Sequence, residues 1–315
     1  MRPSVISIVI ISYNMAREVP RTVQSFLPPY QQDIDLSDIE ILVMENGSPE
    51  PVSQNTINSW PDNVRYINVE NAKPSPAHAL NLGVDLAMGE WVCPVIDGAR
   101  MVTPGLIKHA KKLMKTHPDP VIATIGWHLG ERAQQFNVEY GYNQDVEDEL
   151  LRSINWPAKG YKLFDISSLG RSAGLAWLSS IAESNVLFLK KDTYQKMGGY
   201  DVRFDIPGGG LVNLDFFKRA IENEAREYIL MMSEASFHQY HGGVSTSRSV
   251  RLPSLEDEKR TTWDIYSSQY LSIRGKAFKA SKRRPIIYGQ MHQQLHNVLR
   301  RTARLYEEAL EKSQS

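Results

Sequence analysis

The most restrictive feature of the sequence is an apolar, β-branched run near its start, VISIVIIS, from Val5 to Ser12. Apolar residues fall on both faces of this segment, a pattern typical of a parallel strand that is covered by helices on both sides. The run is too short to cross a bilayer, which takes about 20 apolar residues. It also lacks the small-residue cleavage site of a secretory signal. We therefore expect a buried strand that opens an α/β domain.

Strand and helix patterns then alternate as far as residue 116. Strands are predicted at Ile39–Glu45, Val64–Val69 and Trp91–Asp97, and helices at Arg17–Phe26, Ala77–Ala87 and Pro104–Thr116. This alternation predicts a mostly parallel, Rossmann-like sheet flanked by helices. In such sheets, ligands bind beyond the carboxyl ends of the strands. The residues at or just beyond these ends are polar: Ser12, Tyr13, Asn14, Glu45, Asn71, Asp97 and Arg100.

The second half of the chain is less regular. We expect strands at VIATIGWHL and at Asn185–Lys191, separated by a polar stretch with an acidic cluster around Glu147. No long linker interrupts this part. We therefore predict one domain over residues 1–250, with a nucleotide-binding half of about 1–108 and an acceptor half of about 120–250. A helical, basic C-terminal extension is predicted over residues 251–315.

The cysteine count and the distribution of charge indicate the compartment and the partners of the protein. Cys93 is the single cysteine, which excludes an intrachain disulfide and favours a reducing, cytoplasmic compartment. The formal net charge is zero, yet Arg274 to Arg304 holds nine basic and no acidic residues. Its Lys282-Arg283-Arg284 run is either a solvated face or a contact for an anionic membrane surface. Nucleic acid is not expected as a partner, because no aromatic residues are interleaved with these charges.

Four segments, in order, carry a resemblance to a known family. They are SIVIISYN, ILVMENGSPE, NLGVDLAMGEWVCPVIDGARMVTPGLI, and FLKKDTYQKMGGYDVRF with the later NLDFFKR. The sequence resembles the family 2 glycosyltransferases of the GT-A fold over roughly residues 4–108 and 185–243. The resemblance implies transfer of a sugar from a UDP- or GDP-linked donor to a glycan or glycolipid hydroxyl, with inversion. Polysaccharide biosynthesis is the process it suggests.

The resemblance also implies roles for individual residues. Tyr13 would lie along the nucleobase, Ser12, Asn14 and Glu45 would face the base or ribose, and Asp97 would be the first acid of an Asp-x-Asp motif. Asn71 and Arg100 complete the expected donor-binding set. Asp215 would be the catalytic base, with Glu183 as the alternative acid. Trp177 and Asn185 would lie on the acceptor side.

Departures from the family pattern leave two alternatives open. Ala99 stands at the second acid of the motif, Asn213 at the expected base, and Asn46 replaces an acid after the second strand. Either Arg100 takes over the charge of a divalent Mn or Mg ion, or Asp97 and His241 hold the metal. The missing acids also leave open a non-catalytic protein that binds a nucleotide sugar or a carbohydrate.

The C-terminal extension contains a heptad-like seam, which indicates a helix with one apolar face. The seam is formed by Tyr288, Met291, Leu295, Val298, Thr302, Leu305 and Ala309. Such a helix either packs onto its own domain or pairs two subunits into a homodimer.

Overall fold

The computed structural model describes residues 5–174, 176–242, 261–291, 293–297, 299–300, 303–304 and 307. The strands are β1 Ile6–Ser12, β2 Ile39–Glu45, β3 Val64–Asn68, β4 Trp91–Val95, β5 Arg100–Val102, β6 Val121–Leu129, β7 Ser167–Leu169, β8 Leu187–Lys190, β9 Tyr228–His238 and β10 Ile286–Tyr288. The α-helices are α1 Glu18–Phe26, α2 Gln54–Asn58, α3 Ala77–Leu86, α4 Leu106–Thr116, α5 Gln134–Asn137, α6 Gln144–Ser153, α7 Lys191–Lys196, α8 Val212–Glu222 and α9 Thr262–Arg274.

The strands form one mixed sheet in the order β10-β9-β6-β8-β4-β1-β2-β3. β4, β1, β2 and β3 run parallel to one another, as do β6, β9 and β10. β8 lies antiparallel between β4 and β6 and joins the two parallel groups. The short strands β5 and β7 add antiparallel edges to β9 and β6. This mostly parallel sheet flanked by helices confirms the predicted GT-A-type α/β fold class.

The alternation of side chains along β1 explains why the sheet is buried on both faces. Ile6, Ile8 and Ile10 enter the core beneath α1 and α4, whereas Val9 and Ile11 enter the core beneath α3 and α8. Neither face of the strand meets water, so a run of apolar residues is required where an exposed sheet would alternate. Every residue of β1 and β2 is buried.

The described part of the C-terminal segment packs on this same body. α9 begins at a capping box formed by Thr261 and Asp264, and β10 pairs in parallel with β9. The seam prediction is wrong at its first position, because Tyr288 ends a strand and its ring packs edge-on against His109. Leu295 is fully buried in the core beneath α3 and α8, which favours packing onto the chain's own domain. Val298, Thr302, Leu305 and Ala309 lie outside the described residues.

The basic run is partly used by the fold. The Arg283 guanidinium donates to the carbonyls of Ile221, Asn223 and Arg226, at and beyond the end of α8. A cation is favourable there because the last carbonyls of a helix carry partial negative charge. Lys282 and Arg284 remain exposed. Within the described residues, no helix combines the length and the apolar character needed to span a bilayer.

Candidate functional site

Glu45, at the end of β2, connects the neighbouring strands β1 and β3 with the loop that follows β2. Its carboxylate is buried and accepts hydrogen bonds from Ser12 Oγ (2.9 Å), Tyr66 OH (2.7 Å) and the backbone N–H of Ser48 (2.8 Å). Burial, together with this neighbouring carboxylate, raises the pKa of Tyr66, which stays a donor. Glu45 therefore shapes the crevice through protein contacts. Its expected contact with a base or ribose stays a prediction.

The rim of this crevice carries residues with unusual backbone conformations. Asn14 (φ 52°) and Asn71 (φ 54°) adopt the left-handed region, which asparagine tolerates better than most residues. The Asn14 N–H donates to Ser48 Oγ at 2.9 Å. Between these loops Tyr13 is 49% exposed, so one face of its ring is available for stacking. The structure thus brings the predicted donor-side residues to one edge of the sheet.

Asp97 lies in a bend directly after β4, where the chain passes very close to β1. A Cβ at Gly98 would lie 2.1 Å from the Ile11 carbonyl oxygen, so only glycine fits. Thr22 of α1 holds this bend by donating to the Gly98 carbonyl (2.6 Å). The close passage positions the Asp97 carboxylate at the carboxyl edge of the sheet.

Three nitrogen-bearing side chains surround the Asp97 carboxylate. His238 Nε2 is 2.8 Å from Oδ2, Arg100 Nε is 3.3 Å from Oδ2, and His241 Nε2 is 3.7 Å from Oδ1. Burial disfavours the charged carboxylate, but the two imidazoles and the guanidinium outweigh it and hold the pKa of Asp97 well below its usual range. Asp97 is therefore ionised at neutral pH.

The register of four neighbouring strands places a polar row on this face of the sheet. Arg100 of β5 pairs with His238 of β9, His238 pairs with His128 of β6, and His128 pairs with Ser168 of β7. Directly paired residues point to the same face. The His128 and His238 rings pack edge to face with centroids 5.1 Å apart. Burial lowers the pKa of His238 to about 4 and that of His128 well below its ordinary value, so both are neutral.

His128 and Ser168 were missed by sequence reasoning. Each occurs in a stretch with no motif around it, and their positions become related only through strand pairing. The signal that could have found His128 is a polar residue inside the otherwise apolar strand VIATIGWHL.

The chain between the two histidines is held from both sides. The Tyr240 N–H donates to Glu147 Oε2 at 2.7 Å, while Arg17 donates to the Tyr240 carbonyl at 3.3 Å. The N–H of Gln239 donates to the Ala99 carbonyl at 2.8 Å. The acidic cluster seen in the sequence thus supplies, through Glu147 of α6, a support for the histidine segment.

A second polar group lies on the acceptor half. Asn213, at the start of α8, donates through Nδ2 to Glu183 Oε2 (2.7 Å) and approaches Asn185 Oδ1 (3.3 Å). The Asn185 amide and the Arg100 guanidinium both approach Gly126 of β6: each places a nitrogen 3.7 Å from the position that a Cβ would take there. Arg100, which contacts Asp97, and Asn185, which is linked through Asn213 to Glu183, thus meet at Gly126.

Asp215 is placed differently from Glu183. It is buried on α8, and its oxygens accept from Arg219 Nε (2.8 Å) and from Arg274 Nε and Nη2 (both 2.6 Å). Both carboxylate oxygens of Asp215 are thus engaged by guanidinium donors of the protein, which distinguishes its surroundings from those of Glu183. The contacts of Asp215 join α8 to α9.

Trp177 is also used by the fold. Its indole N–H donates to the Met231 carbonyl of β9 at 3.1 Å, and its ring packs against the core beneath α3 and α8. The structure therefore assigns Trp177 a packing role. Its predicted contact with an acceptor stays a prediction.

Residues 7–173, more than half of the chain, match the family described as Glycosyl transferase family 2. The chain belongs to this family. Solved structures of residues 1–349 of S. aureus TarS share the fold of this chain. The free form matches with a TM-score of 0.51 and 14% identity, over 74% of this chain and 60% of the TarS 1–349 chain. The complex with UDP-GlcNAc matches with a TM-score of 0.52 and 13% identity, over 94% and 72%. No curated protein matches the sequence.

The family 2 glycosyltransferase departs from its family pattern in ways that the structure explains. The Ala99 side chain is fully buried in the core beneath α1 and α4, so this position contributes no ligand to the crevice. Asn46 is buried and donates through Nδ2 to the Lys73 carbonyl (2.8 Å), which ties two loops together. Asn213 holds Glu183, as described above. All three residues therefore make contacts within the protein.

The family 2 glycosyltransferase also contains a group of residues that fits a divalent cation. One ligand atom each from Asp97, His238 and His241 lie within 4.8 Å of one another. His238 is neutral, as metal binding requires, and its Nδ1 lacks a hydrogen bond partner among the described residues. A carboxylate with two imidazoles suits Mn²⁺ better than Mg²⁺, which prefers oxygen ligands. His238 joins the predicted pair of Asp97 and His241 as a candidate ligand.

Proposed function

We propose that the protein transfers a sugar from a UDP- or GDP-linked donor to a hydroxyl group of a glycan or glycolipid, with inversion at the anomeric carbon. The observation that carries this proposal is that two polar groups approach Gly126 through Arg100 and Asn185. One contains the ionised Asp97 with Arg100 and two histidines, and the other presents the Glu183 carboxylate. A displacement at a sugar carbon needs charge stabilisation on one side and a base on the other.

The donor side supports a nucleotide in the crevice. The exposed ring of Tyr13 can stack on a nucleobase, and the loops around Glu45 are fixed before the ligand binds. Preorganised loops lower the entropic cost of binding. The TarS structure that shares the fold was solved with UDP-GlcNAc, which makes UDP sugars the first donors to test.

The leaving diphosphate gains negative charge, and two sources could oppose it. Arg100 offers a permanent charge and a forked set of donors that fits phosphate oxygens. A cation bound by Asp97, His238 and His241 would supply Lewis-acid stabilisation of the same oxygens. Arg100 Nε lies 3.3 Å from the same carboxylate, so its charge stays at the site whether or not a metal binds.

Glu183 is the base we propose, in preference to Asp215. Asn213 donates to one of its oxygens and holds the side chain, while the other carboxylate oxygen has no hydrogen bond among the described residues and can accept a proton from the acceptor. The amide at position 213 thus orients a base in this chain.

The test is a donor screen followed by a turnover assay. Thermal shifts with UDP, GDP and several of their sugars, each with and without Mn²⁺, should identify a stabilising nucleotide sugar. The best donor should then release its nucleoside diphosphate faster when a glycan or glycolipid extract is added. Stabilisation without any release, across donors and acceptors, would support the alternative of a non-catalytic binding protein, which the loss of acids at positions 99 and 213 favours.

Two partner assignments stay predictions. Lys282 and Arg284 are exposed and could contact an anionic lipid surface. Pairing of two subunits would use the part of the seam after Leu295, since Leu295 itself is buried in its own domain. Vesicle co-sedimentation with and without anionic lipid tests the first, and sedimentation velocity of the wild type at micromolar concentration tests the second.

A further inference from the structure

Gly126 is unusual among the glycines of the described residues. It has no positive φ, and a Cβ added to it would meet no described atom nearer than the nitrogens of Arg100 and Asn185, both at 3.7 Å. At every other described glycine without a positive φ, the added Cβ would lie 3.0 Å or less from another atom. Neither backbone conformation nor packing therefore requires glycine in the middle of β6. The absent side chain leaves an open space on the face of the sheet that carries the polar row.

Polar atoms on the same face, next to this space, lack hydrogen bond partners within the described structure. They are His128 Nδ1, two residues along β6, and Ser168 Oγ, on the paired strand β7; both are buried atoms. A buried polar atom without a partner is unfavourable unless a ligand or solvent satisfies it. Two such atoms beside the gap, with the nitrogens of Arg100 and Asn185 at its rim, indicate a binding site for a molecule with many hydroxyl groups.

The position of the gap identifies that molecule. Arg100 connects it to Asp97, where the diphosphate is proposed to bind, and Asn185 connects it through Asn213 to the Glu183 carboxylate. In a sugar transfer, the anomeric carbon must lie between the leaving phosphate and the hydroxyl held by the base. Only the transferred sugar occupies that place.

We propose that the ring of the transferred hexosyl group lies over Gly126, and that its hydroxyl groups bind Arg100, Asn185, His128 and Ser168. This assignment rests on the proposed function and adds the residues that hold the sugar. Gly126 sets the space above β6, so its side chain limits the bulk of the sugar. The imidazole of His128 and the hydroxyl of Ser168 contribute hydrogen-bonding atoms, which suit hydroxyl groups.

The first test is Gly126→Ala, assayed with the donor found in the screen and with the matching nucleoside diphosphate alone. The added methyl group makes only ordinary contacts in the free protein, so the melting temperature should not change. Affinity for the nucleoside diphosphate should stay within twofold of wild type. Affinity for the nucleotide sugar, or kcat/KM for transfer, should fall at least tenfold, because the methyl group occupies the space of the ring.

Ser168→Ala provides a second variant that does not depend on the first. Its Oγ has no protein partner in the described structure, so its removal should leave stability unchanged or slightly higher. We expect nucleoside diphosphate affinity to be unchanged and nucleotide-sugar affinity to fall about three- to tenfold, as for the loss of one hydrogen bond.

The possible outcomes distinguish a failure of the proposed sugar subsite from a failure of the proposed function. If wild type transfers sugar and both variants keep their sugar-dependent affinity and kcat/KM within twofold, the sugar lies elsewhere and this inference is wrong while the function stands. Equal losses for the nucleoside diphosphate and the nucleotide sugar would likewise overturn it, since the effect would then not belong to the sugar. A wild type that binds no nucleotide sugar at all overturns both.

Discussion

Two aspartates that lie beside guanidinium groups, Asp97 and Asp215, differ in their surroundings. The Asp97 side chain keeps 20% of its surface exposed, whereas that of Asp215 keeps 2%. Asp215 accepts three guanidinium hydrogen bonds of 2.6–2.8 Å from Arg219 and Arg274. Asp97 faces one guanidinium at 3.3 Å and two imidazoles at 2.8 and 3.7 Å. Around Asp215 the donors are satisfied, whereas Arg100 Nε and His238 Nδ1 near Asp97 have no hydrogen bond within the described structure.

The difference separates a carboxylate that stabilises the fold from one that is available to a ligand. Arg219 also donates to the carbonyls of Met197 and Gly199, and Arg274 also pairs with Asp201 at 2.8 Å. These contacts connect α8, α9 and the loop between α7 and α8 into one network. Near Asp97, unfilled hydrogen-bonding capacity remains at the edge of the crevice. The partial exposure of Asp97 and the burial of Asp215 agree with this difference.

The largest expected effect follows from replacing Glu183, which we propose as the base in place of Asp215. Glu183→Gln keeps an oxygen for the Asn213 amide but cannot accept the acceptor's proton. We expect kcat for transfer to fall about 10²- to 10⁴-fold, the usual contribution of a general base, with donor affinity unchanged. Steady-state kinetics with saturating acceptor measure it, and Glu224→Gln, at an exposed carboxylate, is the control. Full activity in Glu183→Gln would return Asp215 to consideration.

Glu234 is a buried acid with no guanidinium partner among the described residues, and it shows how burial alone changes a carboxyl pKa. It accepts from Thr103 and from Tyr161 (2.9 Å), and burial raises its pKa to about 7. The folded state therefore binds a proton more tightly than the unfolded state, so stability is lost as pH rises from about 4.5 to about 7. The loss should be on the order of 3 kcal/mol. Urea unfolding across this range should show a smaller slope in Glu234→Gln; an unchanged slope would rule the assignment out.

Replacement of Arg100 tests which cation acts beside Asp97. If the guanidinium opposes the diphosphate charge, Arg100→Ala should lower kcat/KM more than tenfold, and wild-type activity should survive EDTA. Arg100→Lys, which keeps the charge but not the fork of donors, should recover part of the loss. The opposite result is activity that disappears in EDTA and returns with Mn²⁺, together with little loss of activity in Arg100→Ala. It would assign the stabilisation of the diphosphate charge to a metal at Asp97, His238 and His241.

A smaller effect is expected from Glu147, which acts through the backbone of Tyr240. Glu147→Gln keeps the acceptor oxygen for the Tyr240 N–H but weakens the contact with Arg17, which lies 3.4 Å away. The segment from His238 to His241 should become less well positioned. We expect a loss of about three- to tenfold in kcat/KM and little change in melting temperature. A variant that loses stability and activity in proportion would show a structural role only.

Much of the donor side could be predicted from the sequence, because parallel strands bring their carboxyl ends to one edge. Ser12, Glu45 and Asp97 are each found from the end of a recognisable strand. The polar row could not be predicted in this way. It depends on the register of β5, β9, β6 and β7, which are far apart in the chain and of which β5 and β7 have only three residues each.

The assignment of the base shows the same limit. Asp215 stood nearest to the expected family position, and the sequence gives no sign that Arg274, on a helix beyond the catalytic half, neutralises it. The contact of Asn213 with Glu183 joins two segments 30 residues apart and has no local pattern. Likewise, only the packing shows that Trp177 uses its indole N–H within the fold.

The central claim is that Asp97 contributes to ligand binding whereas Asp215 stabilises the fold. It is tested most directly by comparing Asp97→Asn with Asp215→Asn in one experiment. Thermal unfolding and release of nucleoside diphosphate from the best donor are measured on both proteins at neutral pH. Asp215→Asn should lose about 3 kcal/mol of stability, a fall of several degrees in melting temperature, while its folded fraction keeps most of its activity. Asp97→Asn should keep its melting temperature and lose at least a hundredfold in turnover. Loss of activity in Asp215→Asn without loss of stability, with Asp97→Asn still active, would contradict the account.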